Sequence, residues 1–462
     1  MNKEKFDVAV IGSGPGGYVA AIRLAQLGKK TCIIEKENLG GICLNWGCIP
    51  TKALLHTAEV YNTIKHAADY GIKVENISFD FKAIIEKSRK VSKTLNSGVA
   101  SLMKKNNIAV FMGIAKIAPN YDVIIEETNK VIEADKIIVA TGARAKTMKD
   151  FEVDGKIIWS YREAMTAEKM PKSLIVVGGG VIGVEFASFY RMMGCEVTLL
   201  EYQSRILMQE DEEIVKLATK NLEKQGIKII TNAEVKTATK NTDGVCVEFT
   251  LGGEIEKIKA DNLLMSVGVI GNIEDIGLEN TKVKIEKNSI LTNFYCKTDD
   301  DRIYAIGDVT NAPWLAHKAS HEGIIAAENI AGLSTHSLKK TDIPGCIYSN
   351  PQIASVGLTE KAALDLGLDI RVGRFPFVAS GKAVAIGDNF GLIKTIFDKK
   401  TGELLGAHMT GPNVTELISN FVLAKSAELT EAEFIATIFA HPTLSESLQE
   451  SVLSAYDRAI HF

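Results

Sequence analysis

Two cysteines five positions apart, Cys43 and Cys48, carry the most chemistry in the stretch Gly40-Gly41-Ile42-Cys43-Leu44-Asn45-Trp46-Gly47-Cys48-Ile49-Pro50-Thr51-Lys52. Two thiols held close can cycle between dithiol and disulfide and so take up and release two electrons. A continuous helix rises about 1.5 Å per residue and would part their Cα atoms by more than about 7 Å. A disulfide needs roughly 4.4–6.8 Å. A bridge therefore requires irregular backbone between them, and Gly47 and Pro50 are residue types that permit or impose it. Two other readings stand beside a redox pair. One is a pair of unrelated buried cysteines, the ordinary fate of free Cys. The other is half of a zinc site, for which no second Cys or His pair with ligand spacing follows.

The second kind of chemistry is nucleotide binding. An apolar strand at 6–11 runs into Gly12-x-Gly14-x-x-Gly17, a helix from Tyr18 to Gly28, and a strand Thr31–Ile34 that ends on Glu35. In such a unit the first glycine makes the tight turn, the second admits a pyrophosphate and the third lets helix and strand pack, while the acid meets a ribose. The pattern restarts with a strand at 174–177, Gly178-x-Gly180-x-x-Gly183, a helix to Gly194, and a strand 197–200 ending on Glu201. Glycines and acids repeat with one constant offset of 166 residues (Gly12 to Gly178, Glu35 to Glu201). Two modules imply two nucleotides. Glu201 predicts a ribose 2′-OH, hence NAD over NADP, although Arg205 nearby could meet a 2′-phosphate.

Further elements must position these residues. Segments 53–66 and 81–106 read as helices, the second with Phe81, Ile84, Ile85, Val91, Leu95, Val99 and Leu102 at mostly helical spacing. Short strands are expected at 109–112 and 122–126. A buried strand at 136–140 runs into the small turn Thr141-Gly142-Ala143, and more strands follow at 227–230, 245–250 and 263–268. Residues 303–308 form a strand-to-turn ending on Asp308, followed by a helix from Trp314 to Gly332. His317 and His321, four apart on that helix, have the spacing of a metal pair. No third ligand is suggested, so no metal is assigned. From about 343 the pattern becomes strands at 352–357, 370–377, 391–397 and 404–410 with helices at 414–426 and 431–438. Near the end stands His441-Pro442-Thr443-Leu444-Ser445-Glu446, where Thr443-x-x-Glu446 has the form of a capping box that opens a helix after Pro442.

With 462 residues the chain exceeds a single core. The fold class is α/β: two Rossmann-like dinucleotide-binding domains and a C-terminal α+β domain. Expected boundaries are 1–146 with the cysteine pair, 147–272 for the second module, 273–342 returning to the first, and 343–462. A net charge of −4 gives no footprint for nucleic acid or a membrane surface. No apolar run approaches the roughly 18 residues needed to span a bilayer. The first residues enter a strand directly and lack a signal h-region. Seven scattered cysteines do not form a secreted disulfide framework. A reducing, cytoplasmic setting is expected (the mitochondrial matrix for a processed eukaryotic form).

Two nucleotide modules and one cysteine pair suggest a relay between a nicotinamide, a second redox nucleotide and a disulfide. On these motifs the sequence resembles the flavoprotein pyridine nucleotide–disulfide oxidoreductases, and within them the dihydrolipoamide dehydrogenase branch, shared by 2-oxoacid dehydrogenase and glycine cleavage complexes. The resemblance spans essentially the whole chain. GGICLNWGCIPTK matches the active disulfide, GGGVIGVE the NAD loop, IYAIGDV the flavin-contacting turn, WLAHKASHEG the next helix, and HPTLSE the catalytic base. Trp46 and Thr51 depart from the commoner Val and Ser. No cysteine follows Cys346, which sets the chain apart from relatives that use a second, C-terminal pair. A glutathione-reductase-like enzyme or a soluble transhydrogenase is the neighbouring alternative.

The resemblance implies roles residue by residue. Gly12, Gly14, Gly17 and Glu35 would hold the adenosine side of FAD. Lys52, Thr141, Gly142, Ala143 and Asp308, with Trp314, Leu315, Ala316 and His317, would meet the rest of it. Gly178, Gly180, Gly183, Glu185, Glu201, Val235 and Gly268 would line the NAD site. Cys43 would be the interchange sulfur and Cys48 the sulfur facing the flavin. His441 would be the base and Glu446 its orienting acid, both supplied across a homodimer formed by the C-terminal domain. Implied partners are lipoyl domains and the acyltransferase core of 2-oxoacid dehydrogenase complexes, or the glycine cleavage lipoyl carrier, with no nucleic-acid or membrane partner.

Overall fold

A computed structural model describes residues 3–462. The chain forms two compact units, each assembled from separated stretches. The first takes the chain up to Leu54, Asp80–Lys146 and Gly268–Leu338; the second takes Leu55–Phe79, Thr147–Val267 and Lys339–Phe462.

In the first unit, β1 (Lys3–Ile11), α1 (Pro15–Gln26) and β2 (Thr31–Glu35) make the expected crossover, with β1 parallel to β2 at Val8↔Thr31. Beyond them come α2 (Gly41–Trp46), α3 (Cys48–Lys65), α4 (Phe81–Lys105), β3 (Ala109–Met112), β4 (Ala115–Ile117), β5 (Val123–Ile125) and β6 (Lys130–Val139). Among the described residues the sheet has seven strands in the order β3-β2-β1-β6-β5-β4, with Ile303–Ala305 also paired to β6. Its central strands are buried on both faces. Val8 and Val10 enter one apolar cluster while Ala9 and Ile11 enter the other. That is why their sequence is an unbroken apolar run and not an alternation.

Gly47 ends α2, and α3 begins at the next residue. The irregular backbone expected between the cysteines is therefore real, but Gly47 alone makes it. Pro50 lies inside the first turn of α3, where a missing N–H costs nothing. The buried face of α4 also differs from the expectation. Phe81, Ile85 and Val99 are buried, yet so are Ser88, Ser92 and Met103, while Leu95 and Leu102 are 38% and 40% exposed. The middle of α4 packs on polar groups: Arg89 Nη1 donates to the Asn45 carbonyl at 2.7 Å, and Asn96 Nδ2 to that of Leu39 at 2.8 Å.

The second unit repeats the crossover in a parallel sheet ordered Lys228–Ile230, Glu196–Leu200, Ser173–Val177, Asn262–Met265, Ile158–Trp159. A separate antiparallel sheet runs Gly345–Ile347, Gln352–Gly357, Leu404–Gly411, Leu392–Asp398, Ile370–Pro376. The helix Glu212–Lys224 was not among the expected elements, although Ile214, Val215, Ala218 and Leu222 form a regular buried stripe. Its N-cap, Asp211, accepts from the Glu213 and Ile214 N–H groups. Asp211 also meets Lys394 Nζ at 2.9 Å, and both side chains are 3% exposed. Glu213 and Glu360 complete the shell around that ammonium at 3.0 and 2.7 Å.

Removing one partner of a buried ion pair costs about 3–5 kcal/mol because a charge stays behind unpaired. Lys394→Met should therefore lose about that much at pH 7 in chemical denaturation. Burial alone would raise the Asp211 and Glu213 carboxyls, but hydrogen bonds from Lys394, and from Arg374 for Glu213, hold both below their ordinary values. Depressed carboxyls contribute stability above their unfolded pKa, about 4, and lose it as pH falls through the lower folded value. The gap between wild type and Lys394→Met should be full at pH 7 and shrink below about pH 4.

Candidate redox and dinucleotide sites

The glycines of the first turn have two different causes. A Cβ on Gly12, at φ +101°, would lie 2.3 Å from the Ala140 carbonyl oxygen, and one on Gly17 would lie 2.0 Å from that of Gly12. Packing within the protein demands both. Gly14 has φ −61° and ψ −179°, open to any residue, and a Cβ there would meet nothing within 4 Å. The second turn behaves alike. Cβ atoms on Gly178 and Gly183 would come 2.4 and 2.0 Å from backbone oxygens, whereas one on Gly180 would meet nothing within 4 Å. Each turn thus leaves one open cradle at the start of a 12-residue helix. Free N–H groups and the helix dipole make such a place fit for a pyrophosphate.

The acids at the strand ends are tied to these turns. Glu35 Oε2 accepts from the Ser13 N–H and hydroxyl at 2.9 and 2.6 Å, and Oε1 from the Glu37 N–H at 2.8 Å. Glu201 accepts from the Gly179 and Gln203 N–H groups at 2.5 and 2.7 Å. Arg205 donates instead to the carbonyls of Leu207 and Met208, both at 3.0 Å. A cleft of about 390 Å³ follows Glu201, lined by Tyr202, Gln203, Ser204, Asn232, Glu234 and Thr250, and only its neighbour Val235 was anticipated. Gly268 has φ +105° and open space around it. Glu185 is buried and accepts from the Tyr348 N–H at 2.9 Å.

Cys43 in α2 and Cys48 at the head of α3 come into side-chain contact as free thiols. The hydrogen bond with Cys48 raises the Cys43 thiol far above its ordinary value; burial adds to this and Lys52 opposes it. Cys48 begins an 18-residue helix, whose N-terminal dipole favours a thiolate.

In the same unit, Thr141 Oγ1 donates to the Asn272 carbonyl at 2.7 Å and Asn272 Nδ2 returns a bond to the Thr141 carbonyl, fixing the turn through Gly142 and Ala143. The Gly307 N–H donates to Glu322 Oε2 at 2.7 Å, and Lys318 pairs with Glu322 at 2.8 Å, both side chains buried. Beside them, burial pushes Asp308 up to about 6, with Lys318 working against it. Trp314 Nε1 donates to the Thr310 carbonyl at 3.1 Å, just before the helix Ala316–Ile330 that carries His317. Sequence reasoning missed Asn272, Lys318 and Glu322; the i, i+4 spacing of the last two was the available signal.

In the second unit His441 Nδ1 lies 2.9 Å from Glu446 Oε1. Since a carboxylate accepts, Nδ1–H is the donor of this contact, and the His441 side chain is 79% exposed. Glu446 Oε2 also accepts from the Thr443 N–H at 2.8 Å. Only half of the expected capping box forms: the Thr443 hydroxyl donates to Ala440, and the helix starts at Glu446 with Ser445 before it. Burial works to raise the Glu446 carboxyl, but bonds from Thr443 and His441 prevail and hold it below the usual range.

A family model described as pyridine nucleotide-disulphide oxidoreductase matches residues 6–323, and one described as the dimerisation domain of that group matches 343–452. The chain belongs to the pyridine nucleotide-disulphide oxidoreductases. It is 51% identical to the dihydrolipoyl dehydrogenase of Rhizobium etli, with 99% of each chain covered. It is 47% identical to the one of Zymomonas mobilis, over 99% of this chain and all of the relative. Among solved structures, the Cu(II) complex of the HOCl-induced flavoprotein disulfide reductase RclA from Escherichia coli superposes with a TM-score of 0.87 at 28% identity, covering 98% and 99% of the two chains. LpdA from Mycobacterium tuberculosis reaches 0.90 at 23% identity with the same coverage, a likeness of fold. As in this oxidoreductase family, two dinucleotide modules are joined to a dimerisation domain. No helix among the described residues is long and apolar enough to cross a membrane.

The two causes of glycine can be separated by experiment. Gly17→Ala should destabilise the dinucleotide-free protein by about 1–3 kcal/mol through overpacking. Gly14→Ala should leave its thermal midpoint within about 2 °C of wild type while weakening dinucleotide retention, measured by ultrafiltration.

Proposed function

We propose that the chain is a homodimeric, NAD⁺-dependent dihydrolipoyl dehydrogenase that reoxidises protein-bound dihydrolipoamide to lipoamide. The carrying observation is the Cys43–Cys48 thiol contact at the α2–α3 break, in the same unit as an open dinucleotide cradle. The 51% identity to a dihydrolipoyl dehydrogenase supports the choice of substrate.

In this reading Gly12, Gly14, Gly17 and Glu35 bind the adenosine and pyrophosphate of FAD. Lys52, Thr141 to Ala143, Asp308 and the segment Trp314 to His317 hold the remainder. The turn Gly178 to Glu185, with Glu201, Val235 and Gly268, takes NAD⁺. FAD supplies a two-electron acceptor between the dithiol and the nicotinamide, and NAD⁺ carries the hydride away. His441 Nε2 removes a proton from a dihydrolipoamide thiol, and Glu446 steadies the imidazolium through Nδ1. The resulting thiolate attacks Cys43 Sγ of the oxidised pair, the disulfide breaks, and Cys48 leaves as a thiolate favoured by the head of α3. The second substrate thiol then closes on the first, releasing Cys43 and lipoamide, so both electrons rest on the Cys43–Cys48 dithiol.

Each site takes Cys43 and Cys48 from one protomer and His441 with Glu446 from the other. The setting is cytoplasmic. The partners are lipoyl domains and the acyltransferase core of a 2-oxoacid dehydrogenase complex, or the glycine cleavage lipoyl carrier. The four domain spans 1–146, 147–272, 273–342 and 343–462 serve as FAD module, NAD module, return to the FAD module, and interface.

The shared site is tested by mixing two inactive subunits, Cys43→Ser and His441→Gln. An isolated hybrid dimer should hold one intact site and about half the wild-type activity with dihydrolipoamide and NAD⁺. A hybrid without activity places the base in its own chain, and activity with glutathione in place of dihydrolipoamide would reassign the substrate.

Coenzyme choice follows from Glu201 and from Arg205 being occupied by backbone carbonyls. A 2′-phosphate beside Glu201 meets like charge, which costs several kcal/mol. NAD⁺ should exceed NADP⁺ by about a hundredfold or more in kcat/KM, and Glu201→Gln should narrow the gap.

A further inference from the structure

The helix that carries Cys43 cannot hold itself in place. Six residues are far below the roughly 12–15 at which a helix persists alone. Glycines border it on both sides, with Gly40 at φ +89° before it, Gly41 at φ +59° as its first residue and Gly47 after it. Backbone contacts of Gly40 and Gly41 with the first glycine turn fix its start; its end is held by side-chain anchors on its last two residues, Asn45 and Trp46. The indole Nε1–H donates to Glu37 Oε1 at 2.7 Å. The Arg89 guanidinium stacks on the ring at 4.9 Å from its centroid and also donates to the Asn45 carbonyl at 2.7 Å. Asn45 itself is buried and donates to the Leu39 and Gly41 carbonyls, both at 2.9 Å. Glu37 belongs to the loop after β2 and Arg89 to α4. The ring therefore ties α2 to the loop after β2 and to α4.

We infer that Trp46 is a positioning residue: clamped between Glu37 and Arg89, it fixes α2 so that the Cys43 sulfur stays within bonding reach of Cys48 at the head of α3. This rests on the reading of Cys43 and Cys48 as a redox pair. A fixed α2 raises the effective concentration of one thiol at the other and so favours the disulfide. Valine in place of Trp46 offers neither an N–H for Glu37 nor a π face for Arg89.

The test equilibrates the FAD-loaded protein with buffers of reduced and oxidised dithiothreitol. In this exchange the protein disulfide becomes a dithiol as dithiothreitol closes to its ring disulfide. Acid quenching, alkylation and mass spectrometry then report the Cys43 and Cys48 thiols. Trp46→Val should lower the equilibrium constant for the disulfide about tenfold, which for a two-electron couple is about 30 mV. Trp46→Phe keeps the stacking and should fall between, which also covers the case of Trp46→Val failing to fold. Glu37→Ala should shift the constant in the same direction and be less than additive with Trp46→Val. Glu37→Gln retains an acceptor for the indole and should stay within about twofold of wild type. A lowered melting temperature with an unchanged equilibrium constant would make Trp46 merely structural and overturn the inference. If wild-type Cys43 and Cys48 never oxidise as a pair, the redox reading itself fails first.

Discussion

The structure depends on backbone approaching backbone more closely than any side chain allows. Gly12 lies against Ala140, and Gly17 against Gly12, at distances that exclude a Cβ. That contact sets where α1 begins and so where its free N–H groups point. A third approach extends the constraint: a Cβ on Gly41 would lie 2.6 Å from Gly14 Cα, and the Gly40 N–H donates to the Ser13 carbonyl at 3.0 Å. The glycine turn therefore positions the redox segment as well as the dinucleotide cradle. Glycine-on-glycine contact brings the start of α2 against the open turn at Gly14.

Charge is handled inside both units by pairing. Lys318 with Glu322, and Lys394 with its three carboxylates, are buried ions whose desolvation is offset by partners within 3.0 Å. For Asp308, burial outweighs the pull of Lys318 and the carboxyl rises to about 6. The thiols follow the same logic. Cys43, bonded to Cys48 and buried, resists ionising, with Lys52 working the other way.

Glu446 shows how one carboxylate serves structure and chemistry together. One oxygen holds the Thr443 backbone at the start of the last helix, and the other sets the tautomer of His441. The imidazole is thus held by the group that starts its helix, and its side chain is left 79% exposed. This segment lies within the stretch matched by the dimerisation-domain model.

The sequence by itself determined the modules, because local rules govern them. Glycine spacing, strand-end acids and apolar runs act over fewer than about 30 residues, so Gly12 to Glu35 and Gly178 to Glu201 could be read without a fold. The break at Gly47 was legible for the same reason. Only the tertiary structure decided what distant residues do to each other. It buried Ser88 and Ser92 and left Leu95 38% exposed, on a stretch of α4 where Arg89 and Asn96 donate to the carbonyls of Asn45 and Leu39. It gave Trp46 its grip on Arg89. Arg89 lies more than forty positions from Trp46 in the chain. Contacts between residues so far apart follow from how elements pack, and no pattern of residue types along the chain encodes their partners.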